Sequence, residues 1–146
     1  MTEAIEPIIK TRSLPLSVEA AFSLFTENMS TWWPFGTHSV GGDAAVRVDF
    51  DLERRQLIET TTDGTTSVWA QIEAWDPPAL LALAWHPGRS PEEASSLEVR
   101  FEPEGAGSRL VLTHDGWGRF GDDGHRLRAN YEQGWDLVLS PYLAAA

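Results

Sequence analysis

Apolar and polar residues change period along the chain, and each change predicts a different kind of element. IEPIIKTRSLP, residues 5–15, reads as a strand that stops at Pro15, because proline cannot go on pairing in a central strand. In SVEAAFSLFTENM, Val18, Phe22, Phe25 and Met29 recur every three or four residues and predict one apolar helix face. Ser17 suits the N-cap and Glu19 the first turn, where the helix dipole favours an anion. MSTWW predicts a second short helix or turn, broken at Pro34.

After Gly41-Gly42 the period becomes two. Val46, Val48 and Phe50 alternate with Arg47, Asp49 and Asp51, which predicts a strand with one wet face. QLIETTT follows, and Asp63-Gly64 marks a hairpin turn. SVWAQIEAW predicts a strand stopped by Asp76-Pro77-Pro78, and ALLALAWH, nearly all apolar, predicts a central one. PGRSPEEASS reads as a loop. Leu97, Val99 and Phe101 then alternate with charged neighbours, and a Gly105-Ala106-Gly107 turn leads to SRLVLTHDG, where Leu110, Leu112 and His114 share a face.

The last stretch, GHRLRANYEQGWDLVLSPYLAAA, carries Leu127, Tyr131, Trp135, Val138 and Tyr142 as a helical stripe long enough to cross a sheet. Leu97, Val99, Phe101, Leu110 and Leu112 are expected to face it. Its weak position is Gly134, which costs about 1 kcal/mol relative to alanine in a helix interior. A small residue there suits a helix lying close against a curved sheet. Strands joined by tight turns, with helices set apart from them, predict an α+β fold on an antiparallel sheet. There are no internal repeats or linkers, and residues 1–146 read as one domain.

Composition narrows the function. The net charge of −11, from 22 acidic and 11 basic residues, repels a phosphate backbone and anionic lipid, so neither nucleic acid nor membrane is an expected partner. The absence of cysteine excludes disulfides and thiolate metal sites. MTEAIEPIIK lacks the basic and apolar regions of an export signal, and a cytoplasmic location is expected. Seven tryptophans are the informative excess, since indole suits cores, interfaces and ligand cavities alike. Two of them sit in STWWPFGTH, a run of aromatics that enters a loop and must either plug a core or line a cavity.

Four blocks, LSVEAAFSLFTE, STWWP, VWAQIEAWDPPALLALAWH and SSLEVRFEPEGAGSRLVLTHDGWGRFGDDGHRLRANYEQGW, resemble the START-like (SRPBCC, Bet v 1-type helix-grip) superfamily. Within it the chain resembles the activator of heat-shock protein 90 ATPase homologue-like family, usually small bacterial domains. The likeness spans nearly the whole chain. Its most specific parts are W-D-P-P-x-x-L-x-x-x-W and the strand-turn-strand ending T-H-x-G-W/F before a G-W helix. Where relatives often carry Gly-Gly ahead of the third strand, this chain has Arg54-Arg55.

The resemblance implies a helix-grip fold: a curved antiparallel sheet of six to seven strands around the long C-terminal helix, with two short helices after the first strand. It also implies a cavity between sheet and helix. Trp32 and Trp33 would close one end, with Phe35 and His38 beneath the mouth. Trp69, Trp85, His114, Trp117, Tyr131 and Trp135 would face inward, and GWGRFGDDG, with Trp117 and Phe120, would form a glycine-flanked flap. Trp135 and Phe22 are expected in the core, while Trp33, Trp117 and Phe120, at loops or element ends, are expected at the pocket or its rim.

The polar candidates are His38, His86 and His114. No histidine pair has a metal-ligand spacing, so no metal site or cofactor is expected. His114 and Asp115 point to opposite faces of a strand, which argues against a dyad, and no G-x-S-x-G elbow is present. Arg119, Arg126 and Arg128, near Asp122 and Asp123, read as a solvated charged face. The expected function is binding of a small apolar or aromatic molecule, with no catalytic residue required. Two alternatives accompany it. One is a polyketide cyclase or aromatase-type enzyme using His38 or His114 as general acid or base. The other is a regulator of a heat-shock protein 90-type chaperone ATPase. A homodimer is compatible with each.

Overall fold

Seven strands pair into one antiparallel sheet that curls around a long helix, and the computed structural model describes residues 5–146 of this arrangement. The strands are β1 (Ile8–Leu14), β2 (Ala45–Asp51), β3 (Gln56–Thr61), β4 (Thr66–Asp76), β5 (Leu80–Trp85), β6 (Ser95–Glu104) and β7 (Gly107–Asp115). They lie in the order β1-β7-β6-β5-β4-β3-β2, so the nearly all-apolar β5 is the middle strand, as its composition predicts. The helices are α1 (Val18–Phe25) and α2 (Gly124–Ala145). Residues 1–4, which open the segment read as lacking an export signal, lie outside the described residues. No helix among the described residues is long and apolar enough to cross a membrane.

The curl has a visible cause. Register shifts interrupt the β2–β3, β3–β4 and β4–β5 ladders, whereas β5–β6, β6–β7 and β1–β7 pair without a break. A bulge bends its strand and increases the local twist, so one half of the sheet folds over α2 and the other stays regular. The shift between Ala45 and Arg47 also overturns the simple alternation expected for β2. Ala45 and Val48 are buried, while Val46 is half exposed. At the β2–β3 turn, Arg55 adopts φ 55°, the left-handed conformation that glycine takes more easily, and its carbonyl accepts from Ile72 N at 2.8 Å.

α1 begins as predicted, with Ser17 Oγ accepting from Ala20 N at 3.2 Å. It is shorter than its periodic pattern. Thr26 Oγ1 donates to the Phe22 carbonyl at 2.8 Å, and Met29 stays buried from a separate 3-10 turn, Met29–Thr31. Leu97, Val99, Phe101, Leu110 and Leu112 are all buried on the concave side. α2 is tied to the rest of the fold near its end and along its middle. Tyr142 Oη donates to the Ala21 carbonyl at 2.8 Å, and Lys10 Nζ on β1 lies 3.1 Å from both Glu132 Oε1 and Asp136 Oδ1.

Leu112 is completely buried on β7. Leu112→Ala is expected to lower unfolding stability by about 2–5 kcal/mol in a urea titration. A near-neutral result would contradict its place in the core.

Candidate functional site

A cavity of about 430 Å³ opens between α2, the end of β5 and the loop that follows the 3-10 turn. Its walls include Trp33, Trp85 and Trp135, and Tyr131, Gly134 and Val138 line it from α2. The mouth is formed by Thr37 to Val40 on one side and Pro87-Gly88 on the other. Trp33, Trp69, Trp85 and Trp135 make one aromatic cluster, with ring centroids 5.0 Å apart for Trp33–Trp69 and 5.6 Å for Trp85–Trp135.

The two adjacent tryptophans of STWWP do different things. Trp32 packs on Phe25 and Tyr142, at 5.5 and 5.0 Å, and its Nε1 donates to the Leu24 carbonyl at 2.7 Å. It plugs the core. Trp33 turns its ring to the cavity and donates from Nε1 to the His38 carbonyl at 2.7 Å, which fixes the loop that carries His38.

A buried carboxylate holds the mouth. Glu59 is fully enclosed on β3, on the same face as Leu57. Its Oε1 accepts from Trp69 Nε1 at 2.9 Å and from Val40 N at 2.8 Å, and its Oε2 accepts from Gly41 N at 2.8 Å. Gly41 is needed for this approach. A Cβ there would sit 2.7 Å from Thr61 Cγ2 and 2.9 Å from Glu59 Oε2. Neither Glu59 nor this use of Gly41 was expected from the sequence. The signal was the alternation itself, which puts Glu59 on the same side as the apolar Leu57.

His114 is enclosed behind the aromatic wall. Trp135 Nε1 donates to His114 Nδ1 at 2.9 Å, so Nδ1 is the acceptor and Nε2 carries the proton toward Ser95 Oγ at 2.6 Å. Burial pushes its pKa down to about 3, so the ring is neutral at physiological pH. Both nitrogens are engaged with protein groups, and the residue does not line the cavity.

Three polar groups belong to the cavity wall. His38 is half-buried, burial lowers its pKa, and Nδ1 lies 2.7 Å from Thr37 Oγ1. Its Nε2 points toward Gly134, 3.8 Å from where a Cβ would stand. Tyr131 has its phenol pKa raised by burial, opposed by the Trp85 indole N–H and by the Arg89 charge. Trp85 Nε1 is itself buried without a hydrogen-bond partner. A buried donor left in that state costs about 1–3 kcal/mol.

Of the ligand-facing residues expected from the sequence, Trp33, His38, Trp85 and Tyr131 come together on the cavity, and Trp135 joins them. Trp32, Phe35, Trp69, His114, Trp117 and Phe120 do not line it. Phe35 packs against the core, and Trp69 stands behind Trp33 and Trp85. The flap expectation is corrected. Trp117 is wholly buried, donates from Nε1 to the His114 carbonyl at 3.0 Å, and anchors its 3-10 segment, Trp117–Asp123. Phe120 lies beneath the Arg89 guanidinium, 5.5 Å from its ring centre. Gly134 is also reassigned, since its bare face borders the cavity and His38. The charged face is partly structural too: Arg126 pairs with Asp123 at 3.0 Å, whereas Arg119 Nη1 donates to the Ala94 carbonyl at 2.8 Å.

Comparison with known proteins adds to this geometry. The sequence pattern of the family described as Activator of Hsp90 ATPase homolog 1-like protein matches residues 15–145. No curated protein is significantly similar to the chain. Among solved structures it is similar to an anthrahydroquino-γ-pyrone synthase, Txn09, complexed with SUM, at 32% identity over 86% of each chain and a TM-score of 0.57. It is also similar to the Aha1 dimer from Colwellia psychrerythraea, at 12% identity over 97% of this chain and 96% of that one, with a TM-score of 0.67. CalU16 from Micromonospora echinospora is 20% identical over 92% of this chain and 72% of its own, with a TM-score of 0.63. The last two likenesses establish shared fold.

The depressed pKa of His114 sets a pH dependence. As pH falls below about 6.5, the unfolded chain takes up a proton that the folded chain refuses until about 3, so stability is lost on acidification. Between pH 6.5 and 5 the loss approaches about 1.4 kcal/mol per pH unit. Urea unfolding at pH 7, 6 and 5 is expected to show this slope, and His114→Gln is expected to flatten it, leaving only the smaller part due to His38. An unchanged slope in the variant would contradict the assignment.

Proposed function

We propose, from the premise that this chain belongs to the Activator of Hsp90 ATPase homolog 1-like family, that it binds a small, flat, mostly aromatic molecule in the cavity walled by Trp33, Trp85 and Trp135. Membership rests on the family match over residues 15–145 and on the 32% identity to the synthase. The observation that carries the binding function is the cavity, whose size of about 430 Å³ falls within the range of small-molecule sites. Aromatic walls favour a ligand that can stack or meet them edge to face. Hydrogen bonds hold two of the three wall indoles, Trp33 to the His38 carbonyl and Trp135 to His114. Walls fixed before the ligand arrives lose little freedom on binding.

One observation supports a catalytic variant of the same function. The synthase is named for forming an anthrahydroquino-γ-pyrone, and His38 offers its Nε2 toward the cavity as a neutral imidazole. In that variant His38 is the general base. His114 is unsuited to the role, because both its nitrogens are engaged. Regulation of a chaperone ATPase has the family's description behind it but no feature of the site.

Gly134 separates folding from binding. Leucine there extends toward His38 and into the cavity, while helix propensity improves by up to about 1 kcal/mol. The neutral fluorophore N-phenyl-1-naphthylamine is expected to brighten and saturate with the wild-type protein. Gly134→Leu is expected to lose that signal with equal or higher melting temperature. Brightening that survives in the variant, or is absent from the wild type, would contradict cavity binding.

A further inference from the structure

His38 has committed every polar atom but one. Its backbone is held on both sides, the N–H donating to the Pro34 carbonyl at 2.9 Å and the carbonyl accepting from Trp33 Nε1 at 2.7 Å. Ring Nδ1 lies 2.7 Å from Thr37 Oγ1, and that hydroxyl has the Pro34 carbonyl at 3.4 Å. Nε2 alone has no partner among the described residues, and unlike Trp85 Nε1 it is not enclosed. It stands on the cavity wall beside the bare face of α2, 3.8 Å from where a Gly134 Cβ would be. Small-molecule cavities are mostly apolar and use a few placed polar groups to select and orient what they hold. The exposed nitrogen of a side chain fixed at three other atoms is such a group.

We propose that the ligand is a neutral phenol, whose aromatic body packs on the tryptophan walls and whose hydroxyl donates to His38 Nε2. The proposal deepens the binding function above and rests on it. In the ring tautomer that suits this ligand, Nδ1–H donates to Thr37 Oγ1, and the Thr37 proton goes on to the Pro34 carbonyl. Ligand hydroxyl, imidazole, threonine and carbonyl then form one chain of donors, and each bond in such a chain polarises the next. A phenol suits the first place in it, because it is more acidic than an alcohol and so gives up more of its proton to the nitrogen. An anionic ligand suits the site poorly. No lysine or arginine among the described residues lines the cavity, and burial lowers the pKa of His38, so the ring stays neutral and offers no balancing charge. The net charge of −11 adds to that bias. Thr37 is therefore a positioning residue for the His38 ring.

Biphenyl, 4-phenylphenol, 4-methoxybiphenyl and biphenyl-4-carboxylate share one aromatic body and differ in the group at its end. Each would be titrated against bound N-phenyl-1-naphthylamine in the wild type, His38→Phe and Thr37→Val, with loss of the probe's fluorescence as the readout and each melting temperature recorded. The wild type is expected to bind 4-phenylphenol about fivefold more tightly than biphenyl. The methoxy compound, which keeps the oxygen and lacks the proton, is expected to bind no more tightly than biphenyl. His38→Phe is expected to abolish the preference for the phenol while biphenyl binding stays within about twofold, and Thr37→Val to reduce the preference to about twofold. No preference for the phenol in the wild type would overturn the proposal and leave cavity binding standing, since the probe and biphenyl still bind. A methoxy compound that matches the phenol would overturn the donor direction, and a carboxylate that binds more tightly than the phenol would overturn the neutral ligand. A preference that persists in His38→Phe would overturn the role of His38, and one unchanged in Thr37→Val would overturn the chain through Thr37. A probe that never brightens with the wild type would remove cavity binding and this subsite with it.

Discussion

The buried carboxylate of Glu59 is the contact on which the site depends. Its two oxygens take three N–H donors, from Trp69, Val40 and Gly41, and so join β4 and the mouth loop to β3. Charge-assisted hydrogen bonds of this kind contribute about 1.5–3 kcal/mol each, while enclosing a carboxylate costs several kcal/mol. The two nearly offset each other. What Glu59 contributes is therefore position more than stability. With Val40 and Gly41 fixed, the His38 carbonyl stands where Trp33 Nε1 reaches it. Trp69, held by the same carboxylate, supports the Trp33 ring at 5.0 Å.

The cavity stays open because its walls are tethered. A cluster of large apolar rings would close on an empty space if each ring were free to slide, since burial favours collapse. Here Trp33 and Trp135, and Trp69 behind them, are each held by an indole hydrogen bond to a protein acceptor. His114 extends this support, linking β6 to α2 through Ser95 and Trp135 as a neutral ring. Gly134 withholds the side chain that would otherwise fill the gap before His38. Packing, electrostatics and one missing Cβ thus produce the same result.

Element order and type were legible in the chain because alternation and helical stripes are long and clean there. Leu97 to Phe101 and Leu110 to Leu112 show period two, and Leu127 to Tyr142 a helical stripe. Val46 escaped this logic because a bulge shifts the register of β2, and a shift of one residue changes the face. The cavity was half legible. Trp33, His38, Trp85 and Tyr131 were named because loops and aromatic strand ends attract attention, but the same rule promoted Trp117, which folds inward onto His114. A glycine-flanked aromatic reads the same whether it covers a mouth or anchors a turn. Glu59 was passed over because an acid within a strand usually marks its wet face.

The seven tryptophans report on all of this individually. In a ¹⁵N-labelled sample the indole N–H resonances can be assigned one at a time by Trp→Phe substitution and followed as N-phenyl-1-naphthylamine is added. The cavity described here requires the signals of Trp33, Trp85 and Trp135 to move. Trp85 should move with them, because its ring lines the cavity although its nitrogen is enclosed. Trp32, Trp75 and Trp117, which lie away from the cavity wall, should stay in place. Shifts centred on Trp32 or Trp117, or no shift of Trp85 while the others move, would contradict the account.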